Sequence, residues 1–133
     1  MVADLKRLPL SMPRFSTLRR ENRIYVDKTE LVFSLAEKNQ QFFLSRPRRF
    51  GKSLLVTTFA SLFQFGLRDF KGLAIEKLWK DTTYNVVRLD FSRVKNFGDS
   101  FEDFENKYRW MLANAFGKLG FVLRENTTEP IEE

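Results

Sequence analysis

Cysteine and histidine are both missing from this chain of 133 residues. The first absence removes disulfides, thiolate metal sites and cysteine nucleophiles, and it suits a reducing cytoplasm. The second removes imidazole chemistry. No serine–histidine triad, no HExxH zinc site and no histidine general base can be built from these residues. A metal would have to be held by oxygen, which favours magnesium bound by a carboxylate, a hydroxyl and a substrate phosphate. Long apolar runs are lacking as well. No stretch approaches the length of a membrane span, and the N-terminus has no apolar signal-peptide core, so no membrane partner is expected.

Hydrophobic residues make up 43% of the chain and charged residues 30%, a balance that supports a packed core in one domain or a piece of one. The net charge of +6 is unevenly placed. Residues 1–57 hold 12 Lys and Arg against 5 Asp and Glu, whereas the remainder is close to neutral. An anionic partner for the first half follows, with nucleic-acid phosphates among the candidates. Arg14, Arg19, Arg20 and Arg23 could form a phosphate-contacting patch there, or an ordinary solvated basic face. Fifteen phenylalanines are many for this length. A small domain that cannot bury them all would present some of them at an interface.

The pattern along the chain divides it into a basic lead-in at 1–23, a central domain at 24–125 and an acidic tail at 126–133. A short helix is expected at residues 14–21, between Pro13 and a first strand at Ile24-Tyr25-Val26. Asp27 with Glu30 three residues later has the look of a helix N-cap, ahead of the apolar positions Leu31, Val32 and Leu35. Phe42-Phe43-Leu44 is a short apolar run suited to a buried strand. Helical spacing returns at Leu54, Leu55, Phe59, Leu62 and Phe63 and ends near Gly66, with one or two shorter helices before Leu78. Residues 86–91 suit another strand, and Phe121-Val122-Leu123 a further one. Asp99 with Glu102 repeats the capping pattern before a stripe of Phe101, Phe104, Tyr108, Met111, Leu112, Ala115 and Phe116 at core-facing spacing, closed by Gly117 or Gly120. Strands alternating with helices predict an α/β fold: a partial P-loop NTPase-like βαβ arrangement with a short, mostly parallel sheet flanked by helices.

The most informative segment is FFLSRPRRFGKSLL, residues 42–55. It sets Gly51-Lys52-Ser53 after a strand-like run and a loop, at the mouth of a helix, which is the order a phosphate-binding loop requires. Backbone N–H groups at such a junction point toward an anion, and the helix dipole adds to their attraction. Gly51 would let backbone approach the phosphate, Lys52 would reach the β- and γ-phosphates, and the Ser53 hydroxyl would ligate magnesium. Arg46 stands where the usual motif begins with glycine, and Arg48 and Arg49 add positive charge. The candidate phosphate site is therefore Arg46, Arg48, Arg49, Phe50, Gly51, Lys52, Ser53 and Leu54.

The same segment closely resembles the diagnostic stretch of the predicted AAA-ATPase-like family, whose longer members often carry a C-terminal PD-(D/E)XK nuclease-like domain. The resemblance runs over about residues 7–92. It includes Leu8-Pro9, Tyr25-Val26-Asp27-Lys28-Thr29, Phe70-Lys71-Gly72-Leu73 and Leu89-Asp90-Phe91-Ser92. It implies an ATP or GTP phosphate site with Mg2+, with Lys52 and Ser53 in the Walker A roles, and a family that tolerates arginine at position 46. Asp27 belongs to this signature and could orient the nucleotide, although a capping role explains it without further assumption. A hydrolysing enzyme also needs an acidic strand end to organise magnesium and water. Asp90 is the one candidate here, and the family's own acidic strand would lie past residue 133, as would the nuclease-like region. The chain thus has the character of an N-terminal portion, expected to bind nucleotide without turning it over alone. The alternative is a non-enzymatic interaction or inhibitor protein, of mobile-element origin, that meets a protein partner, a second copy or nucleic acid through its basic and aromatic surface.

Overall fold

A computed structural model describes residues 5–38, 40–94 and 100–122 of the chain. The chain divides into two units, Met1–Val86 and Val87–Glu133. The described part of the first carries the helices α1 (Phe15–Arg20), α2 (Thr29–Glu37) and α3 (Lys52–Phe65). Two 3-10 turns follow α3, at Gly66–Asp69 and Ala74–Lys77. The second unit carries a 3-10 turn at Phe91–Val94 and the helix α4 (Phe101–Gly117).

The expected α/β fold with a parallel sheet is overturned. Among the described residues there is no β-strand, and the fold is helical. The segments at Ile24-Tyr25-Val26, Phe42-Phe43-Leu44 and residues 86–91 have strand-like composition but no ladder partner, and a strand exists only through hydrogen bonds to a neighbour. The Ile24 N–H makes a single such bond, to the Arg7 carbonyl at 3.0 Å. Phe43 is 92% exposed and Val26 71%, so these runs are not sandwiched between layers as parallel strands are. Phe91 instead opens a 3-10 turn. Phe121 and Val122 follow α4 without regular structure, and Leu123 lies outside the described residues.

The core sits in the first unit, where Phe15, Val32, Leu62, Phe70, Leu73 and Ile75 pack together. Helix α1 is short, but it places Phe15 and Leu18 one turn apart and buries both. The Phe15 ring lies 4.7 Å from that of Phe70 and 5.3 Å from that of Tyr25, in edge-on geometry with the latter. Burying such a ring contributes about 2–3 kcal/mol. Asn22 closes α1 in the left-handed conformation. Arg23 N–H reaches back to Leu18 O at 3.0 Å and Asn22 N–H to Arg19 O at 3.1 Å, the pairing of a Schellman ending. The Phe15 N–H donates to the Thr57 hydroxyl of α3 at 3.1 Å, and that hydroxyl is 2.8 Å from the Pro13 carbonyl, so the lead-in is fastened to the third helix.

Helix α2 starts one residue later than its sequence pattern indicates, with Asp27 just ahead of the N-cap position. Lys28 occupies the N-cap position, and the Asp27 carboxylate accepts from the Thr29 N–H at 2.9 Å and its hydroxyl at 2.6 Å. The other oxygen of Asp27 accepts from the Ala74 N–H at 2.8 Å, and the Thr29 hydroxyl accepts from the Ile75 N–H at 3.1 Å. The Asp27-Lys28-Thr29 segment thereby latches the Ala74–Lys77 turn onto the start of α2.

In the second unit α4 is capped by Ser100, whose hydroxyl accepts from the Asp103 N–H at 3.3 Å; Asp99, the expected cap, lies outside the described residues. Phe121 N–H bonds to Phe116 O at 3.2 Å and Gly120 N–H to Gly117 O at 3.0 Å, so Gly120 completes the ending. The stripe from Phe101 to Phe116 is not a core. No described residue of α4 is buried, and Phe101 is 79% exposed. Its aromatic rings stack along the helix surface instead, Phe104 on Tyr108 at 6.1 Å and Phe91 on Tyr108 at 6.2 Å. The one helix and one turn among the described residues of this unit offer too little apolar surface to enclose the stripe.

Candidate functional site

The loop after Leu44 leads straight into α3, and Lys52 and Ser53 are the first two residues of that helix. Gly51 is the N-cap with φ +76°, a left-handed conformation that suits a residue without a Cβ. A Cβ built there would meet nothing within 4 Å, so the space over the turn is open. The residue at the usual first-glycine position, Arg46, does not adopt a left-handed backbone. That conformation falls on Arg49 instead, with φ +67°. For a residue carrying a Cβ this costs about 1–2 kcal/mol. The arginine at position 46 is therefore compatible with this turn, because the chain reverses later in the loop.

The start of α3 is electrostatically bare. Its first intrahelical bond runs from the Leu55 N–H to Gly51 O at 2.9 Å, so the N–H groups of Gly51, Lys52, Ser53 and Leu54 have no partner within the helix. Gly51 has no side chain to cap them, and the first turn contains no acidic residue. The Lys52 ammonium donates to the Arg46 carbonyl at 2.6 Å. That bond bends the lysine back over the loop and leaves its charge without a carboxylate. Arg46, Arg48 and Arg49 likewise have no carboxylate partner among the described residues, and Phe50 and Ser53 are exposed beside them. Chemically, the turn offers four backbone donors, a lysine and a hydroxyl within one helical turn, flanked by three guanidinium groups.

The other sequence candidates stand elsewhere. Asp27 is engaged in capping and latching, as described above. Burial pushes its carboxyl upward, but the hydrogen bonds from Thr29 and Ala74 and the charge of Arg19 outweigh this and hold it below the ordinary value of 3.8. Asp90 belongs to the second unit, where its Oδ1 accepts from the Ser92 N–H at 3.0 Å and the Ser92 hydroxyl at 2.6 Å. That is a turn-capping arrangement. Among the described residues no cluster of three or more acidic side chains could hold a metal ion by itself, and no described helix is long and apolar enough to cross a membrane. Of the arginines expected near the loop, Arg23 is paired with Glu21 at 2.9 Å, whereas Arg19 and Arg20 line a cleft with Arg68 and Lys71.

A network in that cleft has no precursor in the sequence pattern. The Asp69 carboxylate accepts from the hydroxyls of Ser16 and Ser61, each at 2.6 Å, and from the Arg68 guanidinium at 3.1 and 3.2 Å. It ties α1, α3 and the turn after α3 together. Burial raises its pKa, but the bonds from Arg68, Ser16 and Ser61 and the Arg68 charge lower it further than burial raises it. Serines at positions 16 and 61 carry no periodic or motif signal, so only the folded arrangement reveals their common partner.

Comparison with known proteins places residues 9–131 within a family described as Predicted AAA-ATPase. A protein of Azotobacter chroococcum mcd 1, described as an uncharacterized protein in the vnfD 5' region, is 40% identical over 88 residues. Those residues are 65% of this chain and 17% of that relative, so the chain spans about a sixth of its length. No solved structure matches the chain.

Proposed function

This chain belongs to the predicted AAA-ATPase family, and from that premise we propose that its first unit is a nucleotide-binding module that holds the phosphates of ATP or GTP at the start of α3. The observation that carries this reading is the unneutralised helix entrance: Gly51 as a left-handed cap, four N–H groups without acceptors, and Lys52 bonded only to a neutral carbonyl. A phosphate oxygen is a stronger acceptor for an ammonium than a backbone carbonyl, because both partners are then charged. Exchanging Arg46 O for a β- or γ-phosphate is therefore favourable, and the helix dipole and the arginines at 46, 48 and 49 act in the same direction.

The residues present fit such a ligand. The N–H groups of Gly51 to Leu54 and the Lys52 ammonium would hold the phosphates, and the exposed Ser53 hydroxyl would supply one magnesium ligand. A bound magnesium ion would neutralise phosphate charge. With no acidic cluster among the described residues able to hold the ion, its retention depends on the phosphates themselves. Asp90 already serves Ser92, and hydrolysis by this chain alone is not part of the proposal.

The test is a calorimetric titration of the chain with Mg-ATP. Binding is expected, with Lys52→Ala weakening it by about tenfold or more, the loss of one charge-assisted contact or slightly more. Because Lys52 makes no core contact, the variant should keep its thermal midpoint, so lost binding is not lost folding. No heat from the wild-type chain at millimolar Mg-ATP, or an unchanged affinity in Lys52→Ala, would overturn the proposal.

A further inference from the structure

Away from the start of α3, a cleft of about 420 Å³ is lined by Ser16, Arg19, Arg20, Arg68, Asp69 and Lys71. Four cations face a single carboxylate, and that carboxylate is already saturated by Ser16, Ser61 and Arg68. Arg19 spends its donors on backbone, giving its Nε to Asp69 O at 3.0 Å and its Nη2 to Lys71 O. These bonds hold the guanidinium rigidly between α1 and the turn after α3 without cancelling its charge. Arg20 and Lys71 are exposed at the rim and have no carboxylate partner among the described residues. Like charges gathered in a concavity repel one another and focus a positive potential into it. Asp27 lies within electrostatic range of Arg19, but among the described residues Asp69 is the only carboxylate lining the cleft, so a dissolved anion would relieve the remaining repulsion.

We propose that this cleft is a second anion site, separate from the α3 entrance, that takes a diphosphate group. Its residues favour that chemistry over a lone monovalent ion. The planar guanidinium of Arg20 presents paired donors that match phosphate oxygens, while Arg19 and Arg68, whose Nε and Nη2 are already bonded, and Lys71 add positive charge. The volume lies in the range of small-molecule sites and exceeds what one monatomic ion fills. The Ser16 and Ser61 hydroxyls are committed to Asp69, so recognition rests on charge and guanidinium geometry. The diphosphate could be free or could be the tail of a nucleotide, and the two sources share the same contacts.

The experiment uses the full chain, labelled with nitrogen-15, and follows its amide resonances during titration with inorganic pyrophosphate at low ionic strength. Saturable shifts are expected at Arg20, Asp69, Lys71 and Gly72, and they should persist in Lys52→Ala. The double variant Arg20→Ser/Lys71→Ser should weaken binding at these amides by about tenfold, as two exposed ion pairs allow. Both substituted side chains are exposed, so the fold is retained, and unchanged shift dispersion in the free double variant verifies this. An ADP titration distinguishes the sources: tighter binding than pyrophosphate at the same amides assigns the group to a nucleotide, and equal or weaker binding to free diphosphate, the cleft standing in either case. Loss of all cleft shifts in Lys52→Ala, no saturation at millimolar pyrophosphate, or unchanged affinity in the double variant would overturn the inference. Because the α3 amides are followed in the same spectra, failure of the cleft is separable from failure of the nucleotide site.

Discussion

At the scale of single residues, Asp69 and Asp27 do for this fold what a disulfide or a metal does in other small proteins, by joining segments far apart in sequence. Asp69 links residues 16, 61 and 68, and Asp27 links α2 to the turn at Ala74. Both carboxyls are held below their ordinary value of 3.8. The sign of the consequence follows from proton binding. As acid is added the unfolded chain takes up protons first, so the stabilisation is complete above the unfolded value and is lost as pH falls through the depressed folded values. Asp69→Asn should destabilise the chain by about 1–3 kcal/mol at neutral pH, the cost of removing a charged acceptor shared by three donors. It should also flatten the acid limb: urea midpoints measured below about pH 4 should converge for the two proteins. Parallel pH profiles for wild type and variant would show that Asp69 titrates equally in both states. The Asp27 cap was legible from its spacing to within one residue, because capping is local. Its second bond, to Ala74, was not, because no short-range pattern encodes a partner 47 positions away.

Among the elements, α3 matches its sequence pattern most closely. Its start at Lys52 and its end before Gly66 both follow from the residues there, since an apolar period and a terminal glycine need no distant information. The Gly66 terminus carries a sharper constraint than a period reveals. Its φ of +60° and ψ of −136° exclude most L-residues, and a Cβ there would overlap the Asp81 carboxylate, which accepts from the Leu67 N–H at 2.7 Å. Gly66→Ala should therefore cost about 1–3 kcal/mol, seen as a lowered thermal midpoint. Gly117→Ala, at the end of α4 with open space around it, should be neutral or slightly stabilising. Equal midpoints for the two variants would remove the steric argument. The strand expectations failed for a complementary reason. Ile24-Tyr25-Val26 and Phe42-Phe43-Leu44 have the β-branched and aromatic content of strands, but that content measures fitness for a pleated surface and does not supply the neighbour whose hydrogen bonds make one.

Over the whole molecule, buried apolar side chains are concentrated in the first unit, and Val94 is the buried hydrophobic residue of the second among those described. Local stability should follow this division. Amides in the middle of α3 should exchange with solvent at least about tenfold more slowly than those in the middle of α4, where packing contributes little to helix stability. Hydrogen exchange read by mass spectrometry or by resonance decay checks this, and equal protection in the two helices would contradict it.

The amino-acid sequence by itself determined the chemistry excluded by missing cysteine and histidine, the family, the position of α3 and the charged entrance ahead of it. Each of these is a property of composition or of neighbours a few residues apart. The tertiary structure alone decided that, among the described residues, the strand-like runs stay unpaired and the α4 stripe remains uncovered, and that Arg19, Arg20, Arg68 and Lys71 share one cleft around Asp69. Those outcomes depend on which distant groups meet, and the cost of bringing them together is set by the rest of the fold rather than by any local pattern.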